Sequence, residues 1–104
     1  MFKIMIQLTR REDMSREQFL HWWLEEHAPR ARTLPGVRRI TFNVVDPEAG
    51  IDADGIAELW FDSEQDFHNA YATEIGAAVA ADSMAHVSAR IRVPVTEHQI
   101  VTDR

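Results

Sequence analysis

The chain has 104 residues, no cysteine and a formal net charge of −6 with neutral histidines. That length suits one domain over residues 1–104, and 45% apolar with 27% charged residues is ordinary for a soluble globular protein. The negative charge, with no basic stripe or tail, argues against nucleic acid or anionic membrane as a partner. The lack of cysteine excludes disulfides, thiolate metal sites and cysteine nucleophiles.

The chain opens MFKIMIQLTRRED. Its basic pair follows a short apolar run, the reverse of an export signal, and no run approaches membrane-spanning length, so a cytoplasmic location is expected. Residues 2–9 alternate, with Phe2, Ile4, Ile6 and Leu8 on one face and Lys3, Met5, Gln7 and Thr9 on the other, which predicts a strand. After a polar turn, SREQFLHWWLEEHAPRARTLPG (residues 15–36) predicts an amphipathic helix. Ser15 and Gln18 match a capping box, and Met14 with Phe19 match a hydrophobic staple. Phe19, Trp23 and His27 recur at a spacing of four, so the apolar stripe contains an imidazole. Pro29 cannot donate to the Glu25 carbonyl, which predicts a kink or restart near Ala28; Pro35-Gly36 ends the segment.

Residues 37–45 read as a second strand, with Ile40, Phe42 and Val44 opposite Arg39, Thr41 and Asn43. Residues 46–54 read as an exposed loop. Residues 55–62 form a third strand whose faces, Ala57, Leu59, Phe61 and Ile56, Glu58, Trp60, are both bulky and apolar, so cover is expected on both sides. Ser63 and Asp66 open a second helical region with Phe67, Ala70 and Tyr71 buried. Thr73 caps a further piece to about residue 86, weakened by Gly76. Residues 91–97 form a fourth strand; Pro94 within it calls for an edge strand or for a position where no ladder donor is needed. The order β-α-β-β-α-β is the split βαβ: a ferredoxin-like α+β fold, with a four-stranded antiparallel sheet and both helices on one face. Met5, Ile56 and Trp60 would leave an apolar patch on the bare face, which predicts a homodimer joined sheet to sheet.

His27 is the first candidate for chemistry, because its helical position places it on the sheet-facing stripe. A partly buried imidazole can act as a general base near neutral pH, while the alternative is a core histidine bonded to a carbonyl freed by Pro29. Trp22, Trp23, Phe42, Trp60 and Tyr71 could wall a flat ligand or simply fill the core. Glu58 points toward the expected dimer interior and needs a partner, for which Arg39 and Arg92 are candidates. Asp82 and His86 stand four apart on a helix and can pair. His21 and His68 are expected at the surface, and His98 lies near the end. No histidine pair stands at helical metal-binding spacing and no glycine-rich phosphate loop is present, so no metal or cofactor is expected.

Three stretches together resemble the EthD family. The first is Arg11 with Met14-Ser15 and Phe19. The second is Trp22-Trp23 followed by Glu25-Glu26-His27-Ala28-Pro29, and the third is Leu34-Pro35-Gly36-Val37. Glu58-Leu59-Trp60-Phe61-Asp62 and Val95-Thr96-Glu97 also fit. The resemblance implies a dimeric α+β barrel, a superfamily that includes muconolactone isomerases, methylmuconolactone methylisomerase, cofactor-free monooxygenases, polyketide cyclases and haem-degrading monooxygenases. Likeness of fold does not fix a reaction. The expectation is a small hydrophobic metabolite, aromatic, lactone or quinone-like. Cofactor-free proton transfer by His27, of isomerase, cyclase or oxidoreductase type, would act on it. Alternatives are a non-catalytic accessory protein of an oxygenase system and a haem-dependent monooxygenase using His68 or His86. Against the haem alternative, haem-degrading relatives generally carry an asparagine on the first strand and a tryptophan on the second helix, where this chain has Gln7 and no tryptophan.

Overall fold

The computed structural model describes residues 1–104. β1 (Phe2–Arg10) is an inner strand, and its alternation puts Ile4, Ile6 and Leu8 in the core and Lys3, Met5 and Gln7 on the opposite face. β1 pairs antiparallel with β3 (Gly55–Phe61) and β4 (Val87–Val95), and β3 pairs with β2 (Val37–Val44). The resulting order, β2-β3-β1-β4, is that of a ferredoxin-like α+β fold, as the sequence predicts. Pro94 sits on the edge strand β4, where a residue without an N–H is tolerated. β4 begins at Val87, earlier than alternation alone suggests. A register shift pairs Thr9 with Ala89 but Arg10 with Val87, so Val87 rather than Ser88 joins the core.

The first helical region starts where its capping box places it. The Ser15 hydroxyl accepts from the Gln18 N–H, and the Gln18 side chain accepts from the Ser15 N–H, opening α1 (Arg16–His21). A wide turn follows over Trp22–His27, in which the Ala28 N–H reaches the Trp23 carbonyl five residues back. α2 (Ala28–Ala31) then restarts with Pro29 in its first turn, where a missing N–H costs little. The restart falls where Pro29 predicts it; the wide turn before it does not follow from a simple four-residue stripe. Trp22, Trp23 and His27 are all buried on it.

α3 (Glu64–Tyr71) and α4 (Glu74–Met84) are capped by Ser63 and Thr73, whose hydroxyls accept from the Asp66 and Gly76 N–H groups. Gly76 is where the two helices meet. A Cβ there would lie 2.1 Å from the Ala70 carbonyl oxygen and 2.5 Å from the Tyr71 Cα. Gly55 plays the same part for the first helical region, since a Cβ on β3 would lie 2.5 Å from the Trp23 ring. The loop over residues 46–54 is less exposed than expected at its end. Ala53 and Asp54 are buried, and the Asp54 carboxylate accepts from the Arg10 backbone N–H at 2.8 Å and pairs with the Arg10 guanidinium.

The face of the sheet away from the helices carries a polar cluster within an apolar field. Lys3 Nζ reaches Glu58 at 2.8 Å and Glu97 at 2.9 Å, and Asn43 donates to Glu58 at 3.0 Å. Glu58 therefore does lie on the outer face, but its partner is Lys3, directly diagonal on β1, rather than Arg39 or Arg92. Arg92 faces the helices instead, opposite Ile6. Trp60 is buried under Lys3 and Arg39, each 4.6 Å from its ring. Around them Ile91 and Val93 remain about half exposed, at 53% and 45%. No helix is long and apolar enough to cross a membrane.

Candidate functional site

The wide turn carries His27 under α4, with 5% of its surface exposed. Its Nδ1 lies 2.8 Å from Asp82 Oδ2 and its Nε2 3.3 Å from Ser83 Oγ. An ionised carboxylate can only accept, so Asp82 fixes the proton on Nδ1 and leaves Nε2 as the basic atom, to which the Ser83 hydroxyl donates. The Trp22 indole N–H donates to the same Asp82 oxygen at 3.2 Å, which holds the carboxylate in place.

Charge and burial divide the roles. Desolvation dominates at His27 and pulls its pKa below the ordinary imidazole value, against the opposing pull of Asp82. Burial presses the Asp82 pKa upward, yet hydrogen bonds from His27 and Trp22, with His27 and Arg30 nearby, hold it below the ordinary carboxyl value. At neutral pH the pair is therefore a neutral imidazole beside a carboxylate, which is a base with its orienting group.

His27 and Ser83 line a cavity between sheet and helices with Trp23, Phe42, Tyr71 and Arg90, closed by Ile6, Leu8, Ala31, Ala57, Leu59, Val79 and Ala80. About 20 Å³ of it is open to the centre of a water molecule, room for one water. The lining is mainly apolar, as expected, but the space is far smaller than a metabolite. Phe42, Tyr71, Ala80 and Arg90 are the half-buried members of its wall.

The sequence-predicted residues fall into three places. His27, Trp23, Phe42 and Tyr71 share the cavity, with Trp23 and Phe42 stacked at 4.3 Å and 3°. Trp22, Asp82 and His86 form a layer behind it. His86 stacks on Trp22 at 4.3 Å and its Nδ1 meets the Asp82 backbone carbonyl at 2.7 Å, while the Asp82 carboxylate serves His27. The four-residue Asp82–His86 spacing thus does bring the two together, with His86 Nδ1 3.7 Å from Asp82 Oδ1, although the closer contact of the carboxylate is with His27. Trp60 and Glu58 lie on the other face of the sheet and do not reach the cavity. His68 and His21 are exposed, beside Glu64 and Glu26 respectively. No three His, Asp or Glu side chains converge closely enough to hold a metal ion.

Two polar lining residues escaped the sequence pattern. Ser83 follows Gly76 and Val79 at helical spacing on the buried side of α4, a signal that was present but hidden by the small side chain. Arg90 lies one residue before the predicted start of β4; extending the alternation of Arg92 back by two would have placed it on the helix face.

A ferredoxin-like α+β sheet with an aspartate-oriented histidine in its inter-layer cavity is the class that fold and site define. A family model described as the EthD domain matches residues 11–89, and the chain belongs to the EthD family. An EthD family protein of Bacillus halodurans is similar in structure, with a TM-score of 0.80 at 21% identity over 94% of this chain and 100% of that one. A dimeric ferredoxin-like protein of unknown function from Thermobifida fusca superposes with a TM-score of 0.76 at 11% identity, over 92% of this chain and 90% of that one. SnoaB, a cofactor-independent oxygenase from Streptomyces nogalater studied as a point mutant, gives 0.69 at 20% identity, over 98% and 97%. At these identities the likeness is one of fold. No match was found among curated proteins.

Proposed function

We propose that this EthD-family protein binds a small apolar metabolite, aromatic, lactone or quinone-like, between its sheet and helices and moves a proton on it with His27. The observation that carries this reading is the 2.8 Å contact between His27 Nδ1 and the Asp82 carboxylate. Nδ1–H is committed to Asp82, so the unprotonated Nε2 is left beside the cavity. A base so placed accelerates proton removal by about 10²–10⁴-fold, and Asp82 stabilises the imidazolium that forms. Such a step suits isomerisation, cyclisation or cofactor-free oxidation; the cofactor-independent oxygenase of similar fold supports the last of these. Ligand entry requires the half-buried wall to give way, with Phe42, Tyr71 and Arg90 moving outward. We further propose that the chain forms a homodimer through the outer sheet face. The half-exposed Ile91 and Val93 and the dimeric description of relatives support this.

The tight cavity favours a second reading, in which the protein carries a ligand without turning it over, as an accessory to an oxygenase. One experiment separates the two. Native mass spectrometry of freshly purified protein identifies any ligand carried along, and that ligand is then incubated with protein in D₂O. Proton-transfer chemistry predicts deuterium uptake at an acidic position, slowed about 10²–10⁴-fold in His27→Gln with ligand binding retained. Equal uptake with both proteins, or none with either, would sink the catalytic reading and leave the carrier.

A further inference from the structure

The cavity wall and the strand beside it carry donors and positive charge that no acidic side chain of the chain meets: half-buried Arg90 and the Trp23 indole in the wall, and Arg92 next to it on β4. Arg90 and Arg92 alternate on β4 opposite Leu8 and Ile6, so both guanidinium groups are directed to the helix side of the sheet. Acidic side chains reach Lys3, Arg10, Arg11, Arg16, Arg30 and Arg38. Of the five arginines that none reaches, Arg32, Arg39 and Arg104 are exposed to solvent, and Arg90 and Arg92 are the half-buried two, in a chain of net charge −6. Arg92 is held by aromatic faces, 4.7 Å from the Tyr71 ring and 5.6 Å from that of Phe67, and its Nε is buried without an acceptor. The Trp23 indole N–H is likewise buried without an acceptor. Tyr71 and Arg90 line the cavity with Trp23, and Asp82, the carboxylate that holds the cavity's histidine, is already engaged by His27 and Trp22.

Buried donors left without acceptors are costly, and a guanidinium in apolar surroundings is more so. From this surplus we infer that the ligand of the cavity is an anion, an apolar body bearing a carboxylate that is received by Arg90 with the Tyr71 hydroxyl. The planar fork of an arginine matches a carboxylate with two parallel hydrogen bonds. Trp23 and Phe42 would then take the apolar body, leaving the neutral His27 free to act on it rather than to bind its charge. Burial and the neighbouring Arg92 both press on the Arg90 guanidinium, and the charge of a bound anion offsets both. This inference rests on the reading that the His27 cavity is the ligand site, and it adds the charge of what enters.

Benzoate and benzamide have nearly the same shape and differ in charge, so they test the inference directly. Each is titrated into the full chain at pH 7.5 with ¹H–¹⁵N correlation spectra, following the Trp23 indole N–H. The expected result is that benzoate binds at least about tenfold tighter than benzamide. The preference should vanish in Arg90→Gln and survive in His27→Gln, each variant checked for folding by its own spectrum. If wild-type protein binds the two equally, the anion inference is overturned while the cavity stands as a ligand site. A preference that survives Arg90→Gln also overturns it. If neither probe moves the Trp23 signal at millimolar concentration, the inference fails together with the ligand-site reading beneath it.

Discussion

At His27, burial and hydrogen bonding pull in opposite directions, and burial prevails. A histidine whose folded pKa lies below its unfolded value leaves the unfolded state binding more protons as pH falls below about 6.5. Its effect on stability is therefore absent above that pH and grows as a penalty on the way down to the folded pKa. The slope cannot exceed about 1.4 kcal/mol per pH unit, the value for one proton. Urea denaturation from pH 7.5 to 5 should show stability declining toward acid, and His27→Gln should flatten that decline. A wild-type profile as flat as the variant's would mean that the imidazole titrates normally in the fold. The buried imidazole was legible in the sequence because it shares a four-residue spacing with Phe19 and Trp23. Its partner was not. Spacing along α4 tied Asp82 to His86, but the crossing of α4 over the wide turn brings the carboxylate to a residue 55 positions away.

Helix ends were legible because capping is local chemistry: Ser15, Ser63 and Thr73 each accept the N–H three residues on. The wide Trp22–His27 turn was not, because its stabilisation is tertiary. Seating two adjacent tryptophans inward takes one extra residue in the turn, and Gly55 on β3 provides the flat bed for one of them. The start of β4 was obscured for a similar reason, since a bulge pairs two strands that are distant in sequence. Gly76 separates local preference from packing most sharply. Propensity alone predicts that Gly76→Ala strengthens α4 by about 1 kcal/mol. The 2.1 Å approach to the Ala70 carbonyl predicts the opposite, a loss of about 1–3 kcal/mol from overpacking against backbone that cannot turn aside. Thermal unfolding of the variant decides: a lower melting temperature is expected, and a raised one would show that α3 and α4 do not meet as described.

For the whole molecule, the strand pattern and the two-sided apolar character of β3 were enough to define a ferredoxin-like sheet with a face still to be covered. The pairing of the charges on that face was the part that could not be read. Lys3, Glu58 and Glu97 are far apart in the chain and form one cluster beside Trp60. Their pairing raises the Lys3 pKa and lowers those of Glu58 and Glu97, each chiefly through the hydrogen bonds between them. A sheet-to-sheet dimer would place this satisfied cluster inside an apolar rim that includes Ile91 and Val93. Sedimentation velocity at micromolar concentration should give a dimer, and Ile91→Glu should give a folded monomer by setting an unpaired carboxylate in the rim. A dimer unaffected by Ile91→Glu would move the interface elsewhere.

Proton transfer at this site depends on which nitrogen of His27 carries the proton, and when. Long-range ¹H–¹⁵N spectra of the histidine side chains, recorded from pH 8 to 5, read this directly. They should show His27 with a protonated Nδ1 and a bare Nε2 at neutral pH, gaining its second proton only well below the ordinary imidazole range. A proton on Nε2 with Nδ1 bare, or titration at or above the ordinary value, would contradict an Asp82-oriented base and remove the ground for proton transfer at this site.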